Sequence, residues 1–238
     1  MAGGYYTALS GMRTRMDALD RLAADIANAS TTGYKTERAG TTQADRPSFG
    51  AALESAVDVA NNEAHLDFRP GPLATTGRSL DVAIQGTGFF AVETPNGTRY
   101  TRNGHLTRRA DGVLTTDEGH TVLGSSGPIR VGPGDVAIDP DGTVRSAEVV
   151  AGTLKIVEFA PETRFERDLG TTFRADRDPK ATEHPDVASG ALEQSNVSVV
   201  DRVAELSEVS RSFETLLRSV SVLMNDVDRG AITELGRK

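Results

Sequence analysis

The sequence predicts an α+β fold, with long N- and C-terminal helices forming a coiled-coil-like assembly domain around a mainly antiparallel β central domain. Three observations carry this. Apolar residues recur at alternating steps of three and four near both ends of the chain. The middle switches to period two, and glycine-containing turn dipeptides punctuate that middle. The expected organisation is an N-terminal helix in 1–35, an irregular connector in 36–75 and a central β domain in 76–173. A second connector in 174–189 and a C-terminal helix in 190–238, paired with the first, complete it.

In the first segment Leu9, Met12, Met16, Leu19, Ala23 and Ile26 step by 3, 4, 3, 4 and 3, a heptad seam with Arg13, Arg15, Asp17, Asp20 and Arg21 between them. At Asn28-Ala29-Ser30-Thr31-Thr32-Gly33 short polar side chains compete for the backbone and glycine accepts a left-handed turn, which predicts the helix stop. In the connector, Phe49, Leu53, Val57 and Ala60 are spaced for a short helix, and Arg69-Pro70-Gly71-Pro72 ends regular structure.

In the middle, Leu80, Val82 and Ile84 alternate with Asp81, Ala83 and Gln85, the pattern of a half-buried strand. Further strands are expected at Phe89–Val92, Gly112–Leu114, Thr121–Leu123, Val136–Ile138 and Leu154–Phe159. Turns are expected at Asn96-Gly97, Asp111-Gly112, Glu118-Gly119 and Asp141-Gly142. Thr171 to Ser189, polar and holding Pro179 and Pro185, reads as a connector.

The C-terminal seam is Val199, Val203, Leu206, Phe213, Leu217, Val220, Met224 and Val227, with one polar interruption at Ser210. Ser195 or Asn196 is the expected cap, and a helix from Val197 to Val227 would run roughly 45 Å against roughly 35 Å for the first, at 1.5 Å per residue. Narrow seams at opposite ends of a chain favour pairing with each other and with copies of themselves; the alternative is that both cover the protein's own core. Only 5% of residues are aromatic and 37% hydrophobic, a thin core for 238 residues, so part of the apolar surface is expected to meet other chains.

Catalytic chemistry finds little support. The net charge of -8 argues against nucleic-acid or membrane-surface partners. No stretch of 18 apolar residues predicts membrane insertion. The start Met1-Ala2-Gly3-Gly4-Tyr5-Tyr6 has no basic or apolar character, so no cleavable signal peptide is expected. Absence of cysteine removes disulfides, thiolate metal sites and Cys nucleophiles.

Gly86-Thr87-Gly88-Phe89-Phe90-Ala91 matches a dinucleotide fingerprint in outline, but Val92 to Gly97 breaks a helix, so the glycines are expected to shape a bend. Asp139-Pro140-Asp141-Gly142 with Glu148 is out of register for a calcium loop and reads as a hairpin turn. His65, His105, His120 and His184 are scattered, and Asp176-Arg177-Asp178 and Glu166-Arg167-Asp168 read as solvated charge. No enzyme activity, cofactor or metal is expected.

Three motifs follow in order along nearly the whole chain. The first is Tyr6-Thr7-Ala8-Leu9-Ser10-Gly11-Met12, followed by Ile26-Ala27-Asn28-Ala29-Ser30-Thr31-Thr32-Gly33-Tyr34-Lys35. The second is Thr76-Gly77-Arg78-Ser79-Leu80-Asp81-Val82-Ala83-Ile84-Gln85-Gly86-Thr87-Gly88-Phe89-Phe90, then Tyr100-Thr101-Arg102-Asn103-Gly104. The third is Gly190-Ala191-Leu192-Glu193-Gln194-Ser195-Asn196-Val197, with Arg211-Ser212-Phe213-Glu214 beyond it. Together they resemble the basal-body rod and hook family of bacterial flagellar axial proteins. His120-Thr121-Val122-Leu123-Gly124-Ser125-Ser126-Gly127-Pro128-Ile129 is similar to a stretch of the proximal-rod members, with Thr121 where they carry proline.

The resemblance implies a non-enzymatic subunit of the periplasmic rod of the flagellar basal body. Such a subunit is exported uncleaved through the flagellum-specific type III apparatus and polymerises with copies of itself and other axial proteins into a shaft that transmits torque. A chain without cysteine suits a non-reducing compartment. Distal-rod or hook use of the same fold is the nearest alternative. A secreted β-domain enzyme or binding module with helical dimerisation arms is the remaining one, weakened by the absence of tryptophan and by having only Tyr5, Tyr6, Tyr34 and Tyr100 as tyrosines.

Overall fold

The computed structural model describes residues 2–39, 64–147, 149–182 and 185–235; the expected short helix at Phe49–Ala60, and His184 and Glu148, lie outside them. One compact unit holds α1 (Ala2–Ala27) and α2 (Val199–Leu235). The other holds Asn28–Thr36 and His65–Val197.

α1 ends where the polar run begins: the Thr31 N–H and hydroxyl bond the Asn28 carbonyl and side chain at 3.0 and 3.1 Å, and Gly33 turns left-handed at φ 69°. α2 starts later than the 190 boundary expected and runs past Val227, through Gly230, to Leu235. Its cap is Ser198, whose Oγ accepts the Asp201 N–H at 3.4 Å, rather than Ser195 or Asn196. Those two side chains have other partners: Ser195 Oγ accepts the Val197 N–H, and Asn196 Oδ1 accepts the Thr36 N–H. A side chain already bonded elsewhere is not free to cap.

The β unit is antiparallel. Its main sheet runs Phe165–Arg167, Thr172–Ala175, Gly97–Thr101, Phe89–Thr94, Thr121–Gly124, Leu114–Thr116 and Leu106–Arg108 in spatial order. The strand Phe89–Thr94 also pairs with Ile156–Glu158, as Phe90 opposite Ile156. A second sheet joins Val136–Ile138, Thr143–Ser146 and Val149–Thr153, with a register shift at Val144/Arg145. All four expected turn glycines, Gly97, Gly112, Gly119 and Gly142, have positive φ between 79° and 97°, the backbone that glycine alone adopts at little cost.

Phe89 and Phe90 point to opposite faces of their strand, as period two requires. Phe90 joins Val82, Val92, Leu106, Leu114, Val122, Ile129, Val144 and Ile156 in the larger core. Phe89 joins Val157 and Phe173 in a second one, roofed by Phe68, Tyr100, Phe159 and Phe165 in tilted and edge-on ring contacts 4.6 to 5.7 Å apart. Each fully buried Val, Leu or Phe contributes about 1.5–3 kcal/mol.

The stretch expected as a connector, 174–189, is partly strand, since Val187–Ser189 pairs with Val82–Ile84. Beyond it, Ala191–Glu193, within the segment expected as the C-terminal helix, pairs with Leu73–Thr75, within the segment expected as the first connector. Three-residue strands in polar sequence offer no periodicity to read, and only their partners define them.

Candidate functional site

The heptad seam of α1 divides into two stripes. Met12, Leu19 and Ile26 are half-buried, whereas Leu9 and Met16 are 49% and 54% exposed and Ala23 is exposed with them. In α2, Leu206, Ser210, Phe213 and Val220 are half-buried, while Val199, Val203 and Leu217 are exposed, the last two at 45%. Met224 and Val227 lie within the span of α2, and their side chains are outside the described set.

The two helices pack on each other through a seam wider than the expected one. On α1 the buried and half-buried positions include Gly11, Arg15, Ala18, Leu22 and Asp25 beside Met12, Leu19 and Ile26; on α2 they include Arg202, Val209 and Leu216 beside Leu206, Phe213 and Val220. Asp25, 1% exposed, meets Arg202 Nε at 3.3 Å, and Arg15 Nε donates to Ser212 Oγ at 3.0 Å. A side chain at Gly11 would stand 3.8 Å from Leu216. The widening has a simple cause: Gly11, Arg15, Ala18, Asp25 and Arg202 are charged or small, and a count of apolar positions passes over them. Ser10, Gly11 and Met12 of the first motif therefore lie in the helix pair.

Residues of all three motifs also meet inside the β unit. Lys35, Arg102 and Glu193, from the three motifs, are 0%, 2% and 1% exposed and form one buried cluster. Lys35 Nζ donates to Glu193 Oε1 and, at 2.9 Å, to the Arg69 carbonyl. Arg102 Nη1 meets Glu193 Oε2 at 3.3 Å, and its Nη2 donates to the Gly86 carbonyl at 2.8 Å. The Gly71 N–H adds a bond to Glu193 Oε1 at 3.0 Å. One carboxylate thus serves two cations. Burial pushes both below their ordinary values; Glu193 counters this in both, and the nearby Arg102 pushes Lys35 further down.

The backbone follows the charges. The Gly33 N–H donates to the Glu193 carbonyl at 2.8 Å, and a Cβ at Gly33 would lie 2.4 Å from the Asn103 nitrogen. Asn196 Oδ1 accepts the Thr36 N–H at 2.9 Å while its Nδ2 donates to the Asp67 carbonyl at 2.7 Å. Tyr34 is buried with the Arg167 guanidinium 4.2 Å from its ring centre, and Arg167 also donates to the Lys35 carbonyl. Arg167 was expected to be solvated charge; stacking and a carbonyl bond, which sequence does not display, give it a structural place instead.

Asp81 is buried, bonded by Arg78 Nε at 2.9 Å and by His105 Nδ1 at 3.0 Å. Gly86 and Gly88 bend the chain between two strands, at φ 101° and 155°, with no helix following. Asp139 to Gly142 is a hairpin turn, closed by the Asp139 N–H donating to Thr143 O at 2.9 Å. Among the described residues, no three His, Cys, Asp or Glu side chains gather as a metal site, and no helix is long and apolar enough to cross a membrane.

Family models match in the same three places as the motifs. The model described as "Flagella basal body rod protein" covers residues 6–35, "Flagellar hook protein FlgE/F/G D1 domain" covers 83–146, and "Flagellar basal body rod FlgEFG protein C-terminal" covers 188–223. The chain is 32% identical to the flagellar basal-body rod protein FlgF of Caulobacter vibrioides, over 100% of this chain and 99% of that one. It is 32% identical to FlgF of Escherichia coli, over 94% and 95%, and 29% identical to FlgG of Bacillus subtilis, over 90% and 92%. With motifs, family models and full-length relatives agreeing along the chain, it belongs to the flagellar basal-body rod protein family and is a structural subunit of the rod in the bacterial flagellar basal body.

Proposed function

We propose that this subunit sits in the proximal rod and polymerises there through the stripes of α1 and α2 that its own helix pair leaves uncovered. One observation carries the reading: Leu9, Met16 and Ala23 on α1, with Val203 and Leu217 on α2, are exposed at heptad intervals after the helices have packed together. Exposed apolar stripes of this kind gain burial when neighbours cover them. Copies of the chain and other axial proteins are the neighbours, the shaft they build transmits torque, and the flagellar type III apparatus delivers the subunits. The proximal position is supported by the FlgF-named relatives and by the His120–Ile129 stretch.

The test is complementation of a strain lacking the gene with Leu217→Asp or Met16→Asp. Both variants are expected to be exported and to keep the β unit, yet to be missing from isolated basal bodies, with motility lost. A buried unpaired charge at such a contact costs several kcal/mol. Normal motility at wild-type export levels would overturn the reading.

A further inference from the structure

Residues 186–196 lie as a strap against segments distant in sequence. Val187–Ser189 pairs with Val82–Ile84, and Ala191–Glu193 pairs with Leu73–Thr75. Between and beyond these ladders, the Gly190 carbonyl accepts the N–H groups of Thr76 and Gly77 at 2.8 and 3.1 Å, and the Gln194 N–H donates to Pro72 O at 2.9 Å. A Cβ at Gly71 would lie 2.0 Å from Gln194 O, so the two backbones are in direct contact. The strap ends on the N-terminal motif, through Glu193 to Gly33 and Lys35 and through Asn196 to Thr36.

The main sheet holds together on other bonds. Ala91 N–H donates to Lys155 O, Leu114 N–H to Ile129 O, and Lys155 N–H to Leu123 O, at 3.0 to 3.1 Å. Even Val82–Ile84 keeps a partner on its far side, since the Val82 N–H donates to Gly104 O and the Leu106 N–H to Leu80 O, both at 3.0 Å.

We infer that residues 186–196, together with 33–36 and 67–77, form a latch that opens as one unit while the sheet built on Phe89–Thr94 stays folded. Glu193 is its pin. When the strap lifts, Lys35 loses its carboxylate in a site from which water is excluded, so the 33–36 segment leaves with it. In the chain, segment 33–36 follows α1 and the strap precedes α2. The device is separate from the polymerisation reading and stands without it.

Native-state hydrogen exchange on the full-length chain tests this. In the unmodified protein, the amides of Gly33, Thr36, Gly71, Thr76 and Gln194 are expected to share one opening equilibrium, weaker than that of Ala91 and Leu114. Glu193→Gln is expected to speed the first set together by about 100-fold or more, and to leave Ala91 and Leu114 within about threefold. The inference is overturned by a change confined to 191–195, by no change, or by an equal change in both sets. Should the variant fail to fold, the unmodified chain decides alone, and a single common opening for both sets overturns the inference.

Discussion

Lys35 and Glu193, 158 residues apart, form a fully buried ion pair whose carboxylate is shared with Arg102. Their unequal roles order the effects of mutation. Glu193→Gln strands two buried cations facing each other, whereas Lys35→Met leaves Glu193 still neutralised by Arg102. Breaking a buried pair by removing one partner costs about 3–5 kcal/mol, and Glu193→Gln is expected in that range, with Lys35→Met clearly below it. Exchange of the Thr76 and Gln194 amides, which report opening of the segment Glu193 pins, measures both, and equal losses would contradict the shared-carboxylate geometry.

The same cluster gives a pH dependence with a definite sign. Burial, reinforced by Arg102 and opposed by Glu193, holds the Lys35 ammonium below its ordinary 10.5. Between that lowered value and 10.5 the unfolded chain binds more protons than the folded one, so this group's contribution to stability rises with pH through the window. The stability difference between the unmodified protein and Lys35→Met is expected to grow in favour of the former as pH approaches 10.5. A difference that shrinks would show the reverse shift.

Two left-handed glycines separate backbone strain from close packing. Gly77, at φ 72°, would meet nothing within 4 Å if it carried a Cβ; Gly33, at φ 69°, would meet the Asn103 nitrogen at 2.4 Å. Gly77→Ala is expected to lose about 1 kcal/mol, the left-handed cost alone. Gly33→Ala is expected to lose at least about twice as much, because Asn103 backbone must move. Paired thermal melts give the comparison.

Leu22 and Leu9 report which seam the single chain uses. Leu22 is 5% exposed in the α1–α2 contact and Leu9 lies on the uncovered stripe. Leu22→Ala is expected to weaken the helix pair by about 2–4 kcal/mol and Leu9→Ala by about 0.5 kcal/mol or less. Helical circular dichroism against temperature checks this. Loss of basal-body incorporation in Leu9→Ala with its helix stability intact would further support the polymerisation reading.

Much of the architecture is local, and so was legible in sequence. Alternation over Leu80 to Gln85 and the short runs Phe89 to Val92 and Thr121 to Leu123 marked strands that exist, because both signals depend only on adjacent residues. The turn glycines and the stop after Ala27 likewise depend on a few adjacent residues. The three motifs were also visible as motifs, which located Gly33, Lys35, Asp81, Glu193's neighbours Ser195 and Asn196, and the Phe89-Phe90 pair.

Which seam of α1 faces α2 was decided only by tertiary structure. A heptad pattern marks two stripes, and the chain covered the one that lets Asp25 meet Arg202 and Leu216 lie over Gly11. The fate of charged residues was decided the same way. In sequence Lys35, Arg102, Arg167 and Glu193 look like any surface charge, since a buried ion is recognisable only by the partner that neutralises it. That partner comes from another part of the chain, through a pairing set by burial and carbonyl geometry, and no local pattern of residues records it.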